Sequence, residues 1–467
     1  ANGIPTEIVA QILFSNNTNT TFVPHGTNTL SLNGATFTNN LVVASGSTLT
    51  LENGLTFNYI TTASQRGSIS GTINVNTGST YNTSSIATTI VTLNSGGIVN
   101  NNGGTFTTSN GTFVFAASSN YNHNITAGTI PTATWNTTST VNILSPASGT
   151  LGGLAQTFGN FVLNTGAAVV TTMGSSITGI AGNLDLNSGV WNDNNFTVTG
   201  NAAGLFTLGT NGTYTSIRTA TPWLPTAFIT ANITFDPLST VNYNGNGTFT
   251  IPTTQYTTYG KFTIGVGGVK TLGGAIAVQA LDVNAGTLAD GGFQITGNAT
   301  GLLNVAAGTT LQIGAGAVST LFPTNFVTAN ISLDPTSTVV YTSTSAMTMS
   351  AIPATYGHLT MLGASTKTDG GGTINVTGNI NNGAGSSHIG AGKIVLTGGA
   401  INHTLTGTGA YNNLDLNDVN GATMGASFTV NGELGLINGA YTLGANTLTL
   451  NGTAINQTAG TMATTTS

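Results

Sequence analysis

The decapeptide LSTVNYNGNG, Leu238 to Gly247, reads as a short strand running into a loose turn, and the chain contains a near copy and a more distant one. TSTVVYTSTS begins at Thr336 and TSTVNILSPA at Thr138, so the Ser-Thr-Val triplet recurs at Ser139, Ser239 and Ser337, at nearly equal intervals. Other landmarks keep the same distance. LPTAFITANITF around Pro225 matches FPTNFVTANISL around Pro323, and LDLNSGVWNDNNFTVTGNAAGL from Leu184 matches LDVNAGTLADGGFQITGNATGL from Leu281. FGNF at Phe158, YGKF at Tyr259 and YGHL at Tyr356 open successive copies, and a fourth opener, YNNL, follows early, at Tyr411, little more than half a repeat further on.

A repeat near 100 residues fits either a string of immunoglobulin-like sandwiches or one β-solenoid whose long repeat spans several coils. The short step to Tyr411 decides for the solenoid. Removing half of a sandwich destroys its two-sheet core, whereas removing coils from a solenoid only shortens it, because each coil touches its neighbours alone. No Pro-rich or charged linker separates the copies, and residues 1–130 share the short strand-turn texture without matching the long repeat. The fold class expected is all-β, a β-solenoid of short coils with long repeats of about 98–101 residues.

Composition agrees. The chain has 467 residues, of which 4% are charged, against about 25% in ordinary globular proteins. Gly numbers 65, and Thr and Asn fill most polar positions; Thr favours strands, while Gly and Asn supply turns. Hydrophobic residues reach 39% and alternate with polar ones, as in LTLENGLTF, where Leu49, Leu51, Leu55 and Phe57 fall at period-two positions. Such a chain can bury a core. Strand-like segments recur about every 8–12 residues, which predicts roughly 18–28 residues per coil and about 17–25 coils. At ~4.8 Å per coil the expected rod is on the order of 80–120 Å long. Interior positions take Val, Leu, Ile and Phe, and exterior Thr, Asn and Ser can form hydrogen-bonded ladders along the stack. Four segments are expected: an N-terminal cap or donated strand over 1–20, irregular coils over 21–130, the repeat-bearing solenoid over 131–457 and an uncapped end over 458–467.

Net charge is −6, from 12 acids and 6 bases. No basic patch exists for a phosphate backbone, so nucleic acid is excluded as a partner. There is no cysteine, hence no disulfide or thiolate metal site. No apolar run approaches the roughly 18 residues of a membrane helix, and membrane insertion is not expected. The chain starts at Ala1 without a signal peptide and reads as a processed chain or a fragment.

The order STVNYNG, YGKFTI, GVKTLGG, LDVNAGTLADGGFQITGN resembles repeat regions of very large secreted adhesins and filament proteins of gliding or biofilm-forming bacteria. Residues 130–467 carry the resemblance, and Lys270-Thr271-Leu272-Gly273-Gly274 is its best match. Two departures are plain: Asp369 follows Lys367-Thr368 where Leu is expected, and the copy opening at Phe158 has VVTTMGSS where the lysine is expected. The resemblance implies an exported, surface-anchored, non-enzymatic protein, located outside the cell or on its surface.

Residue by residue, catalysis finds no support. Six of the nine Asp form repeat pairs, Asp185 with Asp282, Asp193 with Asp290 and Asp236 with Asp334, and read as recurring structural positions. Asp236-Pro237 and Asp334-Pro335 read as turn openers. Asp415 and Asp418 are the closest two acids, with no Glu, Arg or Lys beside them to complete a catalytic set. His25, His123, His358, His388 and His403 lack metal-ligand spacing and are expected in surface or turn roles. Lys270 and Lys367 are expected to lay their stems over a coil and solvate their heads. Trp135, Trp191 and Trp223 are expected in the core rather than as sugar platforms, and the isolated Thr-x-Thr strings do not make an ice-binding array. No catalytic, cofactor or metal residue is assigned.

The expected partners are further copies of the chain, joined end to end, or its continuation in a larger protein. A glycan or surface bound by a lateral face is the alternative. The least Gly-rich, most continuously apolar segment is EIVAQILFS. Its residues Glu7, Ile8, Val9, Ala10, Gln11, Ile12, Leu13, Phe14 and Ser15 are either a first strand or a strand donated to a neighbouring subunit.

Overall fold

A computed structural model describes residues 7–15, 17–34, 37–59, 66–83, 90–108, 112–452 and 454–464. Residues 1–6 and 16 of the expected N-terminal segment, and 465–467 of the expected C-terminal end, lie outside the described residues. The chain is all-β and winds through about 20 solenoid turns. Among the described residues the helical segments are two short 3-10 turns, Thr230–Asn232 and Thr328–Asn330, which are copies of each other in the long repeat. Packing divides the chain into two compact units, one of residues 1–218 with 222–239 and the other of 219–221 with 240–467.

In the first unit each early coil contributes three strands to three separate sheets. Ile12–Phe14, Asn19–Phe22 and Asn28–Leu32 lie beside Leu41–Val43, Thr48–Leu51 and Leu55–Tyr59 of the next coil. Every described strand ladder is parallel. The step between register partners is not constant: it is short where Val269 meets Thr287, in the second unit, and long where Asn19 meets Thr48. In the second unit one sheet runs without a break through eleven strands, from Phe249–Ile251 to Thr461–Ala463. A parallel strand pairs through evenly spaced hydrogen bonds and needs a connection long enough to return to its start. Here one turn of the coil is that connection.

The repeated triplet is one corner of the coil. Ser139, Ser239 and Ser337 are buried. Each donates its N–H and its hydroxyl to the carbonyl three residues back, on Asn136, Asp236 and Asp334, with the hydroxyl bonds at 2.7 Å. Asp236 Oδ1 accepts the N–H of Leu238 and Asp334 Oδ1 that of Thr336, both at 2.8 Å. The side chain thus fixes the bend, as the Asp-Pro pairs predict. Ser79, Ser119 and Thr309 build the same corner outside the repeated decapeptide, on the carbonyls of Asn76, Ala116 and Ala306. After the corner the strand alternates half-buried and buried positions, as in Thr240–Tyr243 and Thr338–Tyr341.

Outside, the expected ladders are present. On one face of the first unit the Asn142 amide donates to Asn122, Asn122 to Asn100, Asn100 to Asn74 and Asn74 to Thr50, at 2.7–3.0 Å. A second row runs from Asn124 through Asn102 and Asn76 to Glu52. Inside, aromatic side chains continue from coil to coil. Phe57, Tyr81 and Phe106 stack nearly parallel, with centroids 5.5 and 5.0 Å apart, and Phe115 stacks on Trp135 at 3.9 Å.

Ser239→Ala and Ser337→Ala should each lower the unfolding free energy by about 1 kcal/mol, the usual net worth of a buried hydrogen bond. Denaturant titration checks this, and an unchanged midpoint would show the corner hydroxyl to be dispensable.

Candidate functional site

The buried ionisable groups are the chemistry to be explained, and a recurring turn organises three of the aspartates. Asp193, Asp290 and Asp369 are buried, and each is followed by two residues of positive φ: Asn194-Asn195, Gly291-Gly292 and Gly370-Gly371. Only Gly and Asn enter that left-handed region readily, which is why the sequence reads D-N-N, D-G-G and D-G-G. Each Asp accepts the N–H two residues on, at 3.0, 2.8 and 2.7 Å. The carboxylate then reaches the next coil: Asp193 to the N–H of Ile217, Asp290 to that of Gly314 and Asp369 to the His388 ring. Thr320 also donates its hydroxyl to Asp290. Burial pushes the pKa of Asp193 and Asp290 up, against the pull of these donors. Asp236 and Asp334 are the corner openers already described, while Asp185 accepts the Thr207 hydroxyl at 2.6 Å and Asp282 pairs with Lys261.

The histidines depart from expectation. His25 is exposed and His358 half-buried, but His123, His388 and His403 lie in the interior. The ring partners of His388 and His403 stand far from them in sequence, mostly about one coil away, so spacing along the chain did not reveal them. His388 donates from Nε2 to Asp369 Oδ2 at 3.0 Å and accepts the Asn412 N–H at Nδ1, an arrangement that a neutral ring satisfies. Desolvation holds its pKa below the ordinary histidine value, although Asp369 pulls it upward. His403 lies between two oxygens, the Gly378 carbonyl at 2.6 Å from Nδ1 and Asp418 Oδ2 at 2.9 Å from Nε2. For Asp418 burial works to raise the pKa, but the N–H groups of Asn420 and Gly399 and the His403 contact outweigh it and lower the pKa.

The two lysines are also corrected. Lys270 and Lys367 are wholly buried, heads included. Lys270 Nζ donates to the carbonyls of Gly247 and Gly267 and sits 5.7 Å from the Tyr243 ring centroid. Lys367 Nζ donates to the Ser343 carbonyl at 2.9 Å and to Ser365 Oγ. A carbonyl of the preceding coil turn lies within reach of a four-carbon stem, so the ammonium is satisfied inside. Desolvation lowers both pKa values.

Asp415 and Asp418, close in sequence, go to separate partners. Asp415 Oδ2 takes Lys393 Nζ at 2.5 Å, a residue one coil back, and Glu433 lies beside the same lysine. A cleft of about 340 Å³ there is lined by Lys393, Asn413 and Glu433 among others. The Asp415 hydrogen bond, with the pull of both acids, raises the Lys393 pKa against desolvation. Trp135, Trp191 and Trp223 are buried, as expected. Among the described residues no group of three or more His, Cys, Asp or Glu could hold a metal ion, and no helix is long and apolar enough to cross a membrane. Glu7–Val9 pairs with Asn28–Leu32, and Ile12–Phe14 with Leu41–Val43, all within the chain. Both stand first in their sheets, and Ile8 and Leu13 are 64% and 59% exposed.

No protein-family profile, curated protein or solved structure matches the chain.

Two expectations follow. His123, His358 and His388 all have pKa values lowered by burial. Between those lowered values and the unfolded value near 6.5, the unfolded chain binds more protons. Stability is therefore full above that pH and falls as the solution is acidified through about pH 6. Melting temperature measured from pH 7.5 to 5 should drop, and the drop should be smaller in His388→Gln. Lys367→Met should unfold no earlier than the parent, because it removes a buried ammonium that no described carboxylate pairs with. The Ser343 carbonyl keeps a donor in Ser365. A loss above about 2 kcal/mol in denaturant titration would show instead that the ammonium holds the coil.

Proposed function

We infer that the chain is a non-catalytic structural protein of the cell exterior, a building block of a bacterial surface filament or of an adhesin stalk. The observation that carries this reading is the use made of the polar groups. Asp turns, Asn ladders and interior lysines bind one coil to the next, with partners about one turn away, and the corner serines set the bend between strands. Such devices extend a stack, and they recur along it. The outermost strands support a role in longer assemblies. Among the described residues, Ile12–Phe14 and Asn19–Phe22 pair on one side with the following coil, and Leu448–Leu450 and Ile455–Gln457 pair on one side with the preceding one. Leu13, Leu450 and Ile455 are exposed on these strands, as is Ile8 on Glu7–Val9. Parallel edges of this kind accept further strands, whether from more coils of a longer chain or from another copy.

The alternative, a lateral face that binds a glycan, calls for an exposed row of aromatic rings. The tryptophans are buried, and the exposed Phe37 and Phe293 lie one in each unit.

Electron microscopy of the native material, with mass spectrometry of its termini, tests the reading. Periodic unbranched filaments with chain ends near Ala1 and Ser467 are the outcome expected of a polymerising subunit, and Leu13→Asp should then abolish them. A chain mass far above 46.8 kDa would mark a segment of a giant stalk. Dispersed monomers with hydrolytic activity on a polysaccharide would sink the structural reading.

A further inference from the structure

The first unit contains a place where the stacking is interrupted. Among the described residues, the sheet that begins with Glu7–Val9 ends at Thr105–Thr107. The chain returns to that side of the coil one turn later, at residues 128–132, but these pair onward instead. The Ile130 N–H donates to Gly152, and the Gly152 N–H to the Gly128 carbonyl. Among the described residues, one side-chain hydrogen bond crosses from the 105–108 stretch, from Thr108 Oγ1 to the Thr132 carbonyl at 2.5 Å. Between the two stretches lies a cleft of about 640 Å³, in the range of ligand clefts.

Its edge has a definite hydrogen-bonding character. Thr105 donates its N–H back to Ser79, and Thr107 accepts from the Thr83 N–H, so both face the preceding coil. In a parallel ladder the residue between them turns its N–H and C=O the other way. Those groups of Phe106 therefore point into the cleft. The Phe106 ring, last in the stacked column of Phe57 and Tyr81, packs edge-on against Phe113 and Tyr121 and also lines the cleft. Ile125, Ile130 and Pro131 supply further apolar wall, Thr105, Thr129 and Thr132 form an exposed rim, and no described lining residue carries a charge.

We propose that this cleft is a strand-binding site that takes a short, uncharged, extended segment of another polypeptide, pairing with the free edge of Thr105–Thr107. The ligand's backbone continues the ladder from Phe106. An aromatic or aliphatic side chain packs on the apolar wall of Phe106, Ile125, Ile130 and Pro131, and the polar residues flanking it face solvent beside the threonine rim. A sugar offers no alternating N–H and C=O groups at strand spacing, and an anionic ligand finds no cation here. The site is independent of how the chain ends associate.

The probe is the fluorescein-labelled peptide Gly-Thr-Thr-Phe-Thr-Thr-Gly, titrated against the full chain by fluorescence anisotropy. A control replaces its Phe by Pro, and neutral β-linked glucan oligosaccharides serve as competitors. Saturable binding is expected, at least tenfold weaker for the Pro peptide and for the rim variants Thr129→Trp and Thr132→Trp at unchanged melting temperature. Hydrogen exchange at the Phe106 amide should slow when peptide is bound. No binding at millimolar peptide, equal binding by both rim variants, or displacement by the oligosaccharides would overturn the proposal. Self-association of the chain that Thr129→Trp abolishes would overturn the assignment to a separate polypeptide.

Discussion

The parallel ladder places each strand one strand-spacing, ~4.8 Å, from the corresponding strand of the next coil. Whatever side chain a coil presents, the coil above presents another almost on top of it. Like charges at that distance repel, while amides donate to one another and rings stack. The near-absence of charge follows from this constraint, and so do the asparagine rows ending at Thr50 and Glu52 and the column of Phe57, Tyr81 and Phe106. Some of the charges that do occur are matched across coils, as Lys393 is to Asp415, or enclosed, as Lys367 is by Ser343 and Ser365.

The same constraint shapes the corners. A coil must bend within a few residues and deliver the chain to the next strand in register. A serine that returns both its N–H and its hydroxyl to the carbonyl three residues back holds such a bend and is small enough to stay buried. Where a sharper reversal is needed, the aspartate turn takes over, with Gly or Asn in the left-handed positions that other residues enter only with strain. Because the aspartate turns and the ladders bond to the adjacent coil, the folding unit is the coil and its neighbour. Copies of the long repeat can thus be shortened, as at Tyr411, without loss of the fold.

Interruption of the ladder has a different meaning. Where Thr105–Thr107 has no strand partner in the next coil among the described residues, its backbone and the Phe106 ring line a cleft with no charged lining. A sheet edge inside a stack differs from one at its end, because its length and chemistry are set by coils on both sides.

Much of this was legible in the sequence. The alternation around Leu49, Leu51, Leu55 and Phe57, the turn residues and the recurrence of Ser139, Ser239 and Ser337 determined an all-β chain wound in coils. They did so because strand period and turn chemistry are local. Asp236 and Asp334 could be read as turn openers for the same reason. The interior of the coil could not be read. Lys270, Lys367, His123, His388 and His403 resemble surface residues in a linear string, and most of their partners belong to a neighbouring coil. Coil length is not constant, as the unequal steps from Val269 to Thr287 and from Asn19 to Thr48 show, so no fixed offset identifies a neighbour. Only the tertiary register decided which polar side chains face inward, which carbonyl or carboxylate meets them, and where the stack leaves an edge unpaired.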